Sequence, residues 1–174
     1  MEKLWRAKHV SIWLKKNIFK ASVVSVFLYG CETWIVSQIM ADKINSFATS
    51  CYRIMLGIRR IDKVRNAYVL ATMEERSLLE TVYDRQLSWI GHALRRGETE
   101  AAYIFALYDP RHGKAPRGRP STTYLQYIAE LLNIPTGLAT AQHIVDLARD
   151  RKLWKTTTAR AIKNQGQRIA DEGI

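Results

Sequence analysis

The sequence predicts an all-α fold, on three observations. Apolar residues recur at three- and four-residue spacing along most of the 174 residues. Residues able to cap helices stand where such stretches begin and end. A composition of 47% hydrophobic and 25% charged residues is that of a chain with a packed core, far from the disordered class. A single dense Gly/Pro cluster interrupts the pattern. It divides the chain into a helical region 1–108, an exposed basic loop or linker 109–120, and a C-terminal helical extension 121–174.

The elements follow in order. Ser11 can cap a helix through SIWLKKNIFKASVVSVFLYG, amphipathic in its first half and apolar on all sides in its second. The β-branched run ASVVSVFLY leaves a strand open there. In MADKINSFATSCYRIML, Ile44, Phe47, Ala48, Cys51 and Met55 follow the helical rhythm, and Gly57 sits where a C-cap belongs. The loop GIRRIDKVRN leads to a short helix RNAYVLATM, a turn at Glu74–Glu75 and a long helix SLLETVYDRQLSWIGHALRR. That last helix gathers Leu79, Tyr83, Leu87, Ile90 and Leu94 on one face, and Arg85, Trp89, His92 and Arg96 on the opposite one. TEAAYIFALYD reads as a further short helix. In DPRHGKAPRGRP, two glycines and three prolines in 12 residues exclude a regular helix. STTYLQYIAELLN reads as a helix capped by Ser121 with Tyr124, Leu125, Ile128 and Leu132 inward. TAQHIVDLARDRKLWKTTTARAIK reads as one last helix anchored by Ile144, Leu147, Ala148 and Trp154, before a frayed tail NQGQRIADEGI.

Charge points to the partner. The chain has 27 Lys+Arg against 16 Asp+Glu, a net charge of +11 and a pI near 9.9. A surplus of this size most often marks a polyanion partner, either nucleic acid or an anionic membrane. The uncharged run Ala21 to Cys31 is 11 residues, well short of the roughly 20 that a membrane span needs. No membrane partner is expected, and with no signal peptide legible the chain reads as intracellular. Three clusters are the candidate contacts: Arg59, Arg60, Lys63 and Arg65; the stripe Arg85, Trp89, His92 and Arg96; and Lys114, Arg117 and Arg119. The last holds Arg-Gly-Arg-Pro, the core of the minor-groove AT-hook.

Catalytic motifs are missing. There is no GxSxG, HExxH or Gly-rich phosphate loop, and the aspartates are scattered rather than paired for two metal ions. Cys51 with His92 or His143 could form a nucleophile–base pair, but Cys51 lies on an apolar stripe, where a structural thiol is the ordinary explanation. Two cysteines and four scattered histidines predict no metal site, and no cofactor is expected.

Five stretches in series carry a resemblance: FLYGCETW (27–34), CYRIMLGIRRIDKVRNAYVL (51–70), RQLSWIGHALRR (85–96), GKAPRGRPSTTYLQYI (113–128) and LARDRKLW (147–154). Together they resemble the C-terminal thumb and connection region of endonuclease–reverse transcriptases from non-LTR (LINE-type) retrotransposons, over roughly residues 4 to 155. The resemblance implies a thumb-like helical bundle that holds a template–primer duplex through its backbone, next to a palm domain bearing the catalytic aspartates. This sequence has no such aspartate pair, so no catalytic residue is carried over. It also implies an apolar surface along Val23 to Trp34, and a connector role for Arg117-Gly118-Arg119-Pro120 in place of a freestanding AT-hook. The alternatives are a helix-turn-helix-like DNA-binding module over 64–96, with Arg85, Gln86, Trp89 and His92 offered to bases, and an interaction protein or non-functional fragment whose basicity is incidental.

Overall fold

The computed structural model describes residues 2–108, 122–137 and 139–171, with side chains for 3–108, 122–137 and 139–166. Among these the regular structure is helical, and no strand occurs. The chain divides into two compact units, one of Met1–Cys31, Val36–Val82 and Arg168–Ile174, the other of Glu32–Ile35 and Tyr83–Gln167.

The first unit contains α1 (Glu2–Arg6), α2 (Ile12–Phe19), α3 (Ser25–Phe27), α4 (Gln38–Leu56), α5 (Asn66–Met73) and the start of α6 (Leu78–Arg96). Ser11 caps α2 by accepting the Leu14 N–H, as its position predicts. The β-branched run that left a strand open is instead helical: a π-turn, Lys20–Val24, joins α2 to α3. Phe19 at the end of α2 is fully buried, packing edge-on against Trp5 and Tyr52 with centroids 6.2 and 5.3 Å away. Burial, with the Glu75 carboxylate adding to it, pushes the Tyr52 phenol up to about 12. On α4 the inward stripe is narrower than the periodicity predicts. Ile44, Ala48 and Met55 are buried, but Cys51 is only half-buried and Phe47, which stacks on Phe27 at 5.5 Å, keeps an exposed edge. Between Val23 and Trp34, Val26 and Tyr29 are exposed whereas Leu28 and Cys31 are buried.

Helix α2 closes the carbonyl ends of two other helices. The buried Lys15 ammonium donates to the Met55 carbonyl at 3.5 Å, in the last turn of α4. Lys16 donates to the Met73 carbonyl at the end of α5, 2.9 Å, and pairs with Glu75 at 3.2 Å. Cations in these places satisfy carbonyls left over by the helical pattern and oppose the helix dipole.

Both α4 and α5 end in Schellman turns. In α4 the left-handed residue is Gly57 (φ 71°), with Ile58 N–H bonded to the Arg53 carbonyl at 2.9 Å. In α5 the same position is Glu74 (φ 53°), with Glu75 N–H on the Leu70 carbonyl at 3.0 Å. A left-handed conformation costs an L-residue about 1 kcal/mol, partly recovered on substitution by glycine. Glu74→Gly should therefore raise stability by about 0.5–1 kcal/mol, read as a higher urea midpoint at unchanged slope. A lower midpoint would show that the Glu74 side chain contributes more than its backbone costs.

The second unit contains the rest of α6, α7 (Ala101–Leu107), α8 (Tyr124–Leu131), α9 (Thr140–Arg149) and α10 (Arg151–Asp171) through Gln167. The inward face read for α6 holds here: Tyr83, Leu87, Ile90 and Leu94 are all buried. So are Tyr124, Leu125, Ile128 and Leu132 of the α8 region. Two boundaries differ from expectation. Thr123 caps α8, in a capping box with Gln126, while the expected cap Ser121 lies outside the described residues. The expected single last helix is two, broken at Asp150, whose backbone is extended (ψ 105°). Its carboxylate accepts the Lys152 and Leu153 N–H groups at 2.8 and 3.1 Å, so an acidic residue read as mid-helix is the N-cap of α10. Helix α10 continues to Asp171, into the tail that the sequence reads as frayed.

Candidate nucleic-acid interface

The first basic cluster occupies the connection from α4 to α5. Arg60–Asp62 form a single 3₁₀ turn, followed by Lys63 in the left-handed region (φ 47°). Asp62 holds the turn closed, accepting the Arg59 N–H at 2.7 Å and facing the Arg59 guanidinium at 3.4 Å. From below, Arg53 on the last turn of α4 donates to the Val64 carbonyl and, at 2.9 Å, to Asn66 Oδ1. Arg59, Arg60, Lys63 and Arg65 are all exposed on this fixed loop. Four cations with one carboxylate leave the segment at a net +3. Helix α5 then starts without a side-chain cap on its N-cap residue Arg65 and without an acidic residue in its first turn. Its leading N–H groups add to the positive potential.

The second cluster lies on α6 and is more mixed. His92 and Arg96 are exposed. Arg85 is half-exposed and faces Glu32 at 3.7 Å. Trp89 is half-buried in an aromatic group, edge-on to Phe105 and Tyr124 at 6.4 and 6.1 Å. Its indole is thus largely a packing element of the second unit. Lys114, Arg117 and Arg119, with the rest of the loop 109–120, lie outside the described residues.

Gln86, offered above to base edges in the helix-turn-helix alternative, is 0% exposed. Its amide Nε2 donates to the Trp34 carbonyl at 2.9 Å, and its Oε1 accepts the Tyr127 hydroxyl at 2.7 Å. Nearby, the Tyr124 hydroxyl donates to the Glu32 carbonyl at 2.6 Å. Gln86 and Tyr124 thus fasten Glu32–Ile35 to α6 and α8. A glutamine in a helix of alternating faces gives no signal for this. Its position one residue before buried Leu87, at the edge of the apolar sector, is the only hint. Gln86→Met keeps the volume but removes the amide that bonds the Trp34 carbonyl and the buried Tyr127 hydroxyl. It should cost about 2–4 kcal/mol in a denaturant melt, and adding Tyr127→Phe should return part of that loss. No return would mean the two groups find other partners.

Two arginines outside the expected clusters also matter. Arg53 fixes the basic loop, as described. Arg95 donates to the Ala148 carbonyl at 3.0 Å, closing the end of α9. Each sits in the last turn of its helix, a place where basic residues are favoured, which is the signal that could have singled them out.

No chemistry of bond-breaking stands out. Burial pushes the Cys51 thiol up, away from the thiolate a nucleophile requires. Among the described residues no group of three or more His, Cys, Asp or Glu side chains is placed to hold a metal ion. No helix among them is long and apolar enough to cross a membrane.

Comparison with known proteins bears on the origin of the chain. It is similar to a transposon-derived, uncharacterised protein of Caenorhabditis elegans, 23% identical over 158 residues. The alignment takes in 87% of this chain and 56% of that relative's length, so the chain spans little more than half of it. No family model matches the sequence. No solved structure matches it either. The chain is therefore related, distantly, to transposon-derived protein.

Proposed function

We propose that the chain binds the sugar-phosphate backbone of a nucleic-acid duplex, as the thumb-like C-terminal part of a LINE-type reverse transcriptase. The observation that carries this reading is the loop 59–65. It sets four exposed cations on a turn held by Asp62 and Arg53, beside an uncapped helix start. Phosphate oxygens spaced along a strand suit such a surface, and backbone contact needs no particular sequence. His92 and Arg96, with Arg85 beside Glu32, are proposed as a second set of contacts. Lys114, Arg117 and Arg119 are proposed as a third.

The transposon-derived relative supports the genetic setting, and the order of the five motifs supports the reverse-transcriptase assignment. The catalytic aspartates would belong to a palm domain, the proposed protein partner. This chain's task is then to hold the duplex, not to extend it. The sequence-reading alternative is disfavoured because it needs Gln86 at a base edge, and Gln86 is buried and doubly hydrogen-bonded.

Gel-shift titration against duplex DNA, an RNA–DNA hybrid and single strands, each at several salt concentrations, tests the proposal. Binding to both duplexes, weakening steeply with salt through counterion release, is the expected result. Absence of salt-sensitive binding to any duplex would refute it.

A further inference from the structure

Within the basic loop one residue is out of character. Ile61 is the middle residue of the 3₁₀ turn, between Arg60 and Asp62, and it is 75% exposed. Isolated exposed aliphatic residues are common and need no explanation of their own. Ile61 differs in its setting: cations at Arg59, Arg60, Lys63 and Arg65 surround it in sequence, on a backbone fixed from two sides. The Asp62 carboxylate closes the turn from within, and Arg53 ties the following segment of chain to α4. Lys63, left-handed at φ 47°, ends the turn, its N–H bonded to the Arg60 carbonyl. A branched, apolar side chain on a hydrogen-bonded turn, with cations on both sides of it in sequence, has the makings of a wedge. The charges bring the loop onto the phosphates, and the fixed backbone removes the ordering cost of presenting the side chain.

We infer that Ile61 inserts between neighbouring base pairs of duplex DNA from the minor groove, unstacking one step while the four cations grip the flanking phosphates. This rests on the backbone-binding reading above and adds to it a chemical role for the one apolar residue of the turn. Aliphatic wedges of this kind unstack and kink duplexes, and burial of the apolar side chain between the bases offsets the stacking lost. Pyrimidine–purine steps such as TA open most easily, whereas A-tracts resist. An interface otherwise blind to sequence would thereby favour flexible steps.

The test uses the full chain and duplex DNA carrying 2-aminopurine next to a central TA step, with an A-tract duplex for comparison. Wild-type protein should raise the 2-aminopurine fluorescence on the TA duplex and bind it several-fold more tightly than the A-tract. Ile61→Ala should bind with the same salt dependence but lose both the fluorescence rise and the TA preference. Its affinity should fall by less than about tenfold, since the unstacking cost disappears along with the buried side chain. Ile61→Leu should keep both properties. Ile39→Ala removes an isoleucine 70% exposed on α4, away from the cluster, and should behave as wild type. Salt-dependent binding with no fluorescence rise, or a rise that survives Ile61→Ala, would overturn the wedge and leave the backbone-binding reading standing. No binding by wild-type protein would overturn both.

Discussion

Gly91→Ala should destabilise the second unit strongly. Gly91 lies in the middle of that helix, where alanine would ordinarily gain about 1 kcal/mol. Here a Cβ would stand 2.7 Å from Cε2 of the Trp154 indole, 2.9 Å from Cδ1, and closer still to Nε1. The indole cannot step aside cheaply. It is buried, and its Nε1–H donates at 3.1 Å to the Leu87 carbonyl, one turn before Gly91. Overpacking costs about 1–3 kcal/mol, here at the upper end because a rigid ring is struck, and breaking the hydrogen bond adds roughly 1 kcal/mol. The clash outweighs the propensity gain, leaving a net loss of about 3 kcal/mol. For a chain of this size that is a fall of roughly 6–12 °C in melting temperature. Trp154→Leu should be costly alone, but Gly91→Ala on top of it should cost little, so the two effects should fall well short of adding. A melting temperature at or above the wild-type value for Gly91→Ala would refute the close approach.

The second large effect concerns binding. Replacing Arg59, Arg60, Lys63 and Arg65 together by alanine should flatten the log–log salt dependence on duplex DNA by about 3 to 4, near 0.9 for each phosphate no longer neutralised. At moderate salt the affinity loss should be on the order of 10²- to 10³-fold and similar on every sequence. Their side chains are exposed, with that of Arg59 at 79%, so the fold should survive and the melting temperature should change little. The fixing residues Arg53 and Asp62 are left intact for that reason. An unchanged slope would place the loop away from the nucleic acid and shift the interface to Arg85, His92 and Arg96.

What the sequence made legible follows from which forces are local. Helix periodicity and caps are written within a few residues, so Ser11, Gly57 and the apolar face of α6 were all readable. The break at Asp150 was not, because an aspartate within an amphipathic run looks the same whether it faces water or caps the next helix. Gln86 and Trp89 illustrate the same limit from the other side. Their polar or ring character suggested exposure, but partners 52 residues away in one case (Trp34) and on α7 and α8 in the other took them into the structure. The loop 59–65 was legible as charge and not as shape. Its rigidity comes from Arg53, outside the run, and from the left-handed backbone at Lys63, where glycine would have announced a turn.

The seat of Lys15 has a practical corollary. Its amine is enclosed at the end of α4, whereas that of Lys20, five residues on, is half open to solvent at 50%. Amine-reactive reagents will modify Lys20 in the native protein and reach Lys15 only when the first unit opens. The pace of Lys15 acylation, followed by mass spectrometry of the peptide carrying both, then becomes a clock for those openings, with Lys20 as its internal standard.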